Sequence, residues 1–529
     1  MIRKTHWQIA ILVTTLLSPA FVFGQEKPNE PQPEFGIKFG GFVKFDAFHD
    51  SRQVVGIRDD MFVMYPAERK QINKSPALTT TTLATDASCV PPAPCNVTSS
   101  TTSNPLLNSD AAQAYVMLDN TDLNARGQTH MTLVQTRLSG KITGPDAFGA
   151  KMTGLIEGDF FGPTEASMYA FGLRHAWINF DWGKTSLRVG QDWRPLFLQG
   201  GVFPNTVQFN PITPIHPFGR APQVALKQKM GDFTLGLYAL GQSGHSDTGP
   251  DGQTTKYFRN GGVPELAAQL IYSAGPVTVG GTLDHSVLRP VDTTNPSYQN
   301  EIDATALGNN NETVSATTYQ AFAQFKTGEF VLKLSTTLGE NMFNGVGLGG
   351  YAVKKDFVLD NLTTTNTSLT SNEIATIKAF KKREYLPIRT HGYWGEIAYG
   401  KDIEYGVVAG RVHNLGAADY INTSLIYGRG SNIKSVTTIV PRIKFTSGRT
   451  VLAIEYIYSE AAYMEDDKNF QKSINDLQTL NGVTNPNYLT LQVNGMNFNN
   501  GLIRDDKGKV GETYTVVNHR IQLSVIQNF

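Results

Sequence analysis

The final fourteen residues, Val516 to Phe529 (VVNHRIQLSVIQNF), constrain the fold more than any other stretch of this chain. Val517, Ile521, Leu523, Val525 and Phe529 share one parity, and Asn518, Arg520, Gln522, Ser524 and Asn528 share the other. Apolar residues at every second position mark a β-strand with one greasy face and one wet face, because successive side chains point to opposite sides of a strand.

The other end of the chain carries a different signal. Arg3 and Lys4 precede an apolar run from Ile9 to Leu17, and Val22-Phe23-Gly24 then offers cleavage positions before Gln25. This pattern predicts a secretory signal peptide over residues 1–24, with an apolar run too short to cross a bilayer. Residues 25–34 (QEKPNEPQPE) follow as a short Pro-rich linker, and the absence of Cys at the cleavage position argues against a lipoprotein. In an exported chain, the terminal strand ending on an aromatic resembles the last strand of bacterial outer-membrane β-barrels. That resemblance implies that Phe529 is read by the barrel-assembly machinery and that the barrel sits among outer-membrane lipid and lipopolysaccharide.

No later segment has eighteen consecutive apolar residues, so no helix is expected to cross a membrane. A mean hydropathy of -0.24 with Gly 50, Tyr 20 and Phe 29 suits strands with one lipid face and one wet face. Lys+Arg and Asp+Glu both total 46; losing Arg3 and Lys4 with the signal leaves 44 against 46, so bulk charge predicts no nucleic-acid partner. Cys89 and Cys95 flank Val-Pro-Pro-Ala-Pro in a Thr/Ser-rich stretch. Zinc would need more ligands, whereas an exported compartment permits a local disulfide between them. No motif calls for a cofactor or a metal.

Further two-faced strands follow. Phe35 to Phe48 places Phe35, Ile37, Phe39, Val43 and Phe45 opposite Lys38, Lys44 and Asp46, and Leu452, Ile454, Tyr456 and Tyr458 share a face opposite Glu455. Short turns are readable at 144–146, 181–183, 231–232, 274–276, 327–328, 400–402 and 447–448. Long polar segments alternate with them at 49–127, 161–169, 195–221, 243–263, 287–316, 339–388, 414–433 and 461–512. Eight long and seven short connections join sixteen strands, with eighteen as the alternative if a long loop hides a hairpin. The expectation is an all-β fold, an antiparallel transmembrane β-barrel over 35–529 with all long loops at one end. A barrel of this strand number leaves an aqueous lumen.

Between Gln135 and Leu226 an ordered set of motifs appears: Gln135-Thr136-Arg137, Glu157-Gly158-Asp159-Phe160-Phe161-Gly162, Leu173-Arg174-His175-Ala176-Trp177, Val189 to Phe197 (VGQDWRPLF) and Arg220-Ala221-Pro222-Gln223-Val224. With Gly41 to Asp46 (GFVKFD), these resemble the DcaP-like porins of Gram-negative outer membranes. The resemblance implies a sixteen-stranded homotrimeric porin passing small, mostly anionic solutes such as dicarboxylates. Two features depart from that family: residues 25–34 are too short and Pro-rich for a helical segment after the signal, and the first long loop is unusually extended.

Parity turns Lys44, Arg137, Arg188, Arg194, Lys333, Arg442 and Arg520 inward, together with Asp46, Glu157, Asp159, Asp192, Glu396 and Glu455. Those nearest the family motifs, with Arg220, are the candidate lining of a constriction. Arg174 is ambiguous, since its strand is apolar on both parities. Segment 195–221, rich in Pro and apolar residues, is the candidate for a loop folded into the lumen, where irregular backbone is tolerated beside water. His216 within it reads as a packing or hydrogen-bonding group. No spacing ties His391, His519 or any Ser into a catalytic set, so no enzyme is expected. The alternative to a pore is a surface-exposed adhesin or binding barrel with little conductance, motivated by the long Thr/Asn-rich loops.

Overall fold

The computed structural model describes residues 35–70, 122–162, 164–242, 245–290, 312–355, 384–465 and 504–529, together with a few short stretches in the loops between them. The segments expected to be signal peptide and linker, and both Cys89 and Cys95, lie outside the described residues.

Sixteen staves form the wall. They are β1 (Gly36–Asp50), β2 (Gln128–Thr132 continued by Arg137–Thr143), β3 (Lys151–Asp159), β4 (Gly172–Asp181), β5 (Thr185–Trp193), β6 (Arg220–Met230), β7 (Phe233–Leu240) and β8 (Glu265–Ala274). The circle continues with β9 (Val277–Leu288), β10 (Val314–Thr327), β11 (Phe330–Glu340), β12 (Arg389–Tyr399), β13 (Ile403–Gly416), β14 (Ile433–Ser447), β15 (Thr450–Met464) and β16 (Thr513–Asn528). Each stave pairs antiparallel with the next, and β1 pairs with β16, so the sheet has no free edge. Closure pairs both edges of every stave within the protein, the condition for crossing hydrocarbon with strands. β2 is interrupted at residues 133–136, and both of its halves pair with β1.

Alternation sets the two faces. On β16 Ile521 and Leu523 are exposed on the outer wall, while Arg520, Gln522 and Ser524 are buried inside. Phe35, Phe39, Tyr399, Tyr405, Phe445 and Phe529 stand exposed toward the end that carries the short turns. An apolar band with an aromatic girdle is the surface that a bilayer selects. Two of these turns open on Gly231 and Gly448, at φ 62° and 58°, where a two-residue hairpin on a right-twisted ladder requires positive φ.

The long loops leave from the opposite end, and three of them turn into the lumen. A short hairpin in the first loop (Val54–Ile57 with Phe62–Pro66), residues 194–219 of the third and residues 341–348 of the sixth pack together inside the wall. Phe62, Phe197, Ile212, Ile215, Phe218, Val346 and Leu348 from these loops join Trp394, Val408, Val436 and Val440 from the wall in one apolar cluster. Burying several such side chains at about 1.5–3 kcal/mol each offsets the cost of ordering long loops.

Candidate functional site

Residues 194–219 cross the lumen without regular secondary structure beyond two short helical turns, Pro195–Leu198 and Gln199–Gly201. Buried irregular backbone needs partners for its peptide groups, and the inward polar side chains of the wall supply them. Gln269 of β8 donates to the Pro195 carbonyl at 3.1 Å, and Gln320 of β10 to Leu196 at 2.9 Å. Lys333 of β11 donates to Phe203 at 2.9 Å, and Glu396 of β12 accepts from the Asn205 N–H at 3.1 Å. Glu455 of β15 accepts from the N–H groups of Val207 (2.6 Å) and Gln208 (2.9 Å), while Lys44 of β1 donates to the Val207 carbonyl at 2.5 Å. The loop is thus laid against the wall from β8 round to β1.

His216 belongs to the same anchorage. The Trp394 indole N–H donates to its Nδ1 at 3.2 Å, so its Nε2 carries the proton offered to the Phe197 carbonyl at 3.0 Å. Burial pushes its pKa down to about 3, which keeps the ring neutral at any physiological pH.

The wall from β2 to β6 keeps charged groups that do not hold the loop. Arg174 bonds Glu157 at 2.9 Å and Asp159 at 2.5 Å, and Arg137 lies 4.0 Å from Glu157. Arg188 bonds Asp192 at 2.5 Å and lies 3.9 Å above the Trp177 ring; His175 sits 3.1 Å from the same carboxylate. Arg220 stacks 5.1 Å over Trp193, and Arg137 5.2 Å over Phe42. Arg137 Nε, Arg174 Nη2 and Arg220 Nη1 are buried nitrogens without a hydrogen-bond partner. Lys227 of β6, two residues beyond the Ala225 that faces Arg188, is exposed to the lumen. The Arg188 side chain is 30% exposed and that of Arg137 21%, so solute in the lumen reaches both.

The sequence candidates therefore divide into two groups. Arg137, Glu157, Asp159, Arg188, Asp192 and Arg220 gather on this wall. Lys44 and Asp46, 3.3 Å apart, lie under the third loop, where Asp46 also accepts from Gln522 at 3.0 Å and from Ser524. Arg194 is buried in an ion pair with Glu265, whose second oxygen takes the Asn344 amide at 3.4 Å. Glu265 and Lys227 escaped the sequence reading, although Lys227 shares the parity of Gln223 and Ala225. His391 and His519 face outward, bonded to Thr336 at 2.9 Å and Tyr456 at 2.7 Å.

A second device lies above this level, in the fourth loop. Asp247 is fully buried and accepts from Gln242 at 2.6 Å and from Asn341 of the sixth loop at 2.9 Å. Burial outweighs those two donors and raises its pKa to about 6. A carboxyl whose pKa is raised in the folded state binds its proton more tightly there, so the folded loop gains stability as pH falls from 7 toward 5. Protonation relieves the cost of the buried charge, although the bonds from Gln242 and Asn341 themselves weaken. Hydrogen exchange corrected for intrinsic rates is expected to show growing protection at residues 245–254 over that range, and Asp247→Asn to flatten the response.

No family model and no curated protein sequence matches the chain. Among solved structures, the outer membrane channel DcaP of Acinetobacter baumannii aligns with a TM-score of 0.53 at 13% identity, covering 95% of this chain and 99% of that one. OmpT of Vibrio cholerae aligns over 94% of this chain and 99% of its own, with a TM-score of 0.42 at 8% identity. OmpF of Salmonella typhi, in complex with daunomycin, has a TM-score of 0.42 at 9% identity over 93% and 97%. The closed sixteen-stave wall, its apolar outer band and its inward third loop give this chain the architecture of an outer-membrane β-barrel, with the fold of the DcaP channel.

Proposed function

We propose that the protein is an outer-membrane porin through which small hydrophilic solutes diffuse, with a moderate preference for small anions such as dicarboxylates. The observation that carries this reading is the charge on the wall from β2 to β6. Arg137, Arg174, Arg188, Arg220 and Lys227 there outnumber Glu157, Asp159 and Asp192. Elsewhere several inward charges are spent on one another: Lys333 with Glu396 at 3.0 Å, Arg442 with Glu396 and Glu404 at 2.6 and 3.0 Å, and Lys444 with Glu404 at 3.3 Å, while the buried acids Glu265 and Asp284 lie beside Arg194. A guanidinium presents a planar fork to a carboxylate and stays charged at all relevant pH. Several such groups spread along one wall suit a solute with a carboxylate at each end, while the three acids temper the preference.

Reversal potentials in a salt gradient across a planar bilayer test the reading. Net anion selectivity is expected for the wild type, decreasing when Arg188 and Lys227 become Ala. A cation-selective wild type defeats the anion reading, and an insulating one favours the binding-barrel alternative.

The homotrimer implied by the family resemblance finds support on the outer wall. Ala321, Ala323, Gly395 and Ala409 leave a groove across β10 to β13, beside an outward Arg411 bonded to Ser435 at 3.0 Å. Arginine on a lipid face costs about 2–4 kcal/mol at the bilayer midplane, and a protein neighbour removes that cost. Mass measurement in mild detergent is expected to give three copies.

A further inference from the structure

We infer that the hairpin of the first loop is a second constriction element beside the third loop, and that Glu165 of the second loop is the residue that positions it; this rests on the porin reading above. The hairpin is short, Val54–Ile57 against Phe62–Pro66, and every residue of its second strand is buried. Inside the lumen its Phe62 ring lies 5.2 Å from Phe218 and 5.7 Å from Phe209, both on the third loop. Asn210 of that loop donates to the Val63 carbonyl. The base is fixed to the wall, with the Tyr463 hydroxyl donating to Pro66 at 2.7 Å and Arg52 to Ala67 at 2.7 Å. The hairpin thus spans from the β15 side of the barrel to the middle of the third loop.

Its tip then reaches the basic wall. Arg58, Asp59 and Asp60 all adopt left-handed backbone, at φ 60°, 50° and 57°. Three consecutive non-glycine residues hold that conformation only where the surroundings fix it. Glu165 supplies the fixing contact: one carboxylate oxygen accepts from the Asp59 N–H at 2.7 Å and the other from the Arg58 N–H at 2.8 Å. The Arg58 guanidinium bonds the Phe161 and Gly162 carbonyls at 2.8 and 2.9 Å, and Asp60 accepts from Gln128 at 2.9 Å. Phe161 stacks on Phe209 at 4.5 Å, which closes the circuit from hairpin tip to third loop. The side chains of Asp59 and Glu165 remain half exposed, so a solute entering from the loop end meets this tip before the arginines of β2 to β6.

Two variants measured by single-channel recording separate the claims. Replacing residues 58–61 by two glycines removes the tip, and conductance is expected to rise about twofold because the open cross-section grows. Should that variant fail to assemble, Phe62→Ala keeps the chain length, removes the ring contacts that pack the hairpin on the third loop and is expected to raise conductance in the same direction. Glu165→Ala is expected to give a conductance between wild type and the tip replacement, with added current noise, and Glu165→Gln, which keeps one acceptor, to recover part of the wild-type level. Wild-type conductance in both tip variants overturns the hairpin as a constriction element. Raised conductance there with a wild-type Glu165→Ala overturns the role of Glu165, and an insulating wild type instead removes the porin reading.

Discussion

Replacing Glu455 by Ala is expected to turn a steady single-channel current into a larger and noisier one, without preventing the barrel from folding. Glu455 is fully buried on β15 and accepts two N–H groups of the third loop, while Lys44 on β1 holds the carbonyl of one of those same residues. A peptide group clamped between an acid and a base is the tightest point of the anchorage. Hydrogen bonds to a charged group are worth about 1.5–3 kcal/mol each, and the loss also leaves the Lys44 ammonium with Asp46 as its remaining acid, 3.3 Å away. Anchors at Gln269, Gln320, Lys333 and Glu396 persist, so the loop swings about its middle instead of leaving the lumen. Glu455→Gln is expected to fall between, because its amide oxygen retains one acceptor while its NH2 opposes the second N–H. A wild-type current for Glu455→Ala, recorded in a planar bilayer, shows that this clamp does not set the pore.

Period-two alternation made the wall legible from residues alone. It turned Arg520 and Ser524 inward and Ile521 and Leu523 outward on β16, as the closed barrel has them. Turn residues such as Gly231-Asp232 and Ser447-Gly448 gave the alternation of short and long connections, and with it the sixteen strands. Parity says which face a side chain takes but not what stands opposite it. Val207 and Glu455 are 248 residues apart in the chain, and no local pattern announces their pairing. Arg174 resisted assignment for a different reason: the β3–β4 ladder shifts register between Glu157 and Gly158, so Arg174 and its neighbour His175 are both buried. The hairpin of the first loop was invisible because Phe62 to Pro66 (FVMYP) is covered on both faces inside the lumen, which erases the alternation that betrays a wall strand.

The seam between first and last strands is where a single substitution is expected to cost most. Asp50 and Arg520 are direct partners across β1 and β16, both fully buried. The guanidinium grips both carboxylate oxygens, at 2.8 and 2.6 Å, donates to the Asp60 carbonyl at 2.8 Å and lies 3.9 Å above the Phe48 ring. Asn518 adds a third donor to Asp50 at 2.8 Å. Removing one partner of a buried pair strands the other charge, at about 3–5 kcal/mol, whereas replacing both by apolar groups of similar size is often nearly neutral. Asp50→Ala is therefore expected to lower the urea midpoint for unfolding far more than Asp50→Asn, which keeps the shape and the Asn518 contact. The double variant Asp50→Ala with Arg520→Met should recover most of the loss, since it removes the stranded charge along with its partner. A double variant as unstable as Asp50→Ala would locate the damage in packing at the seam, and a single variant within about 1 kcal/mol of wild type would place the pair among those that water screens.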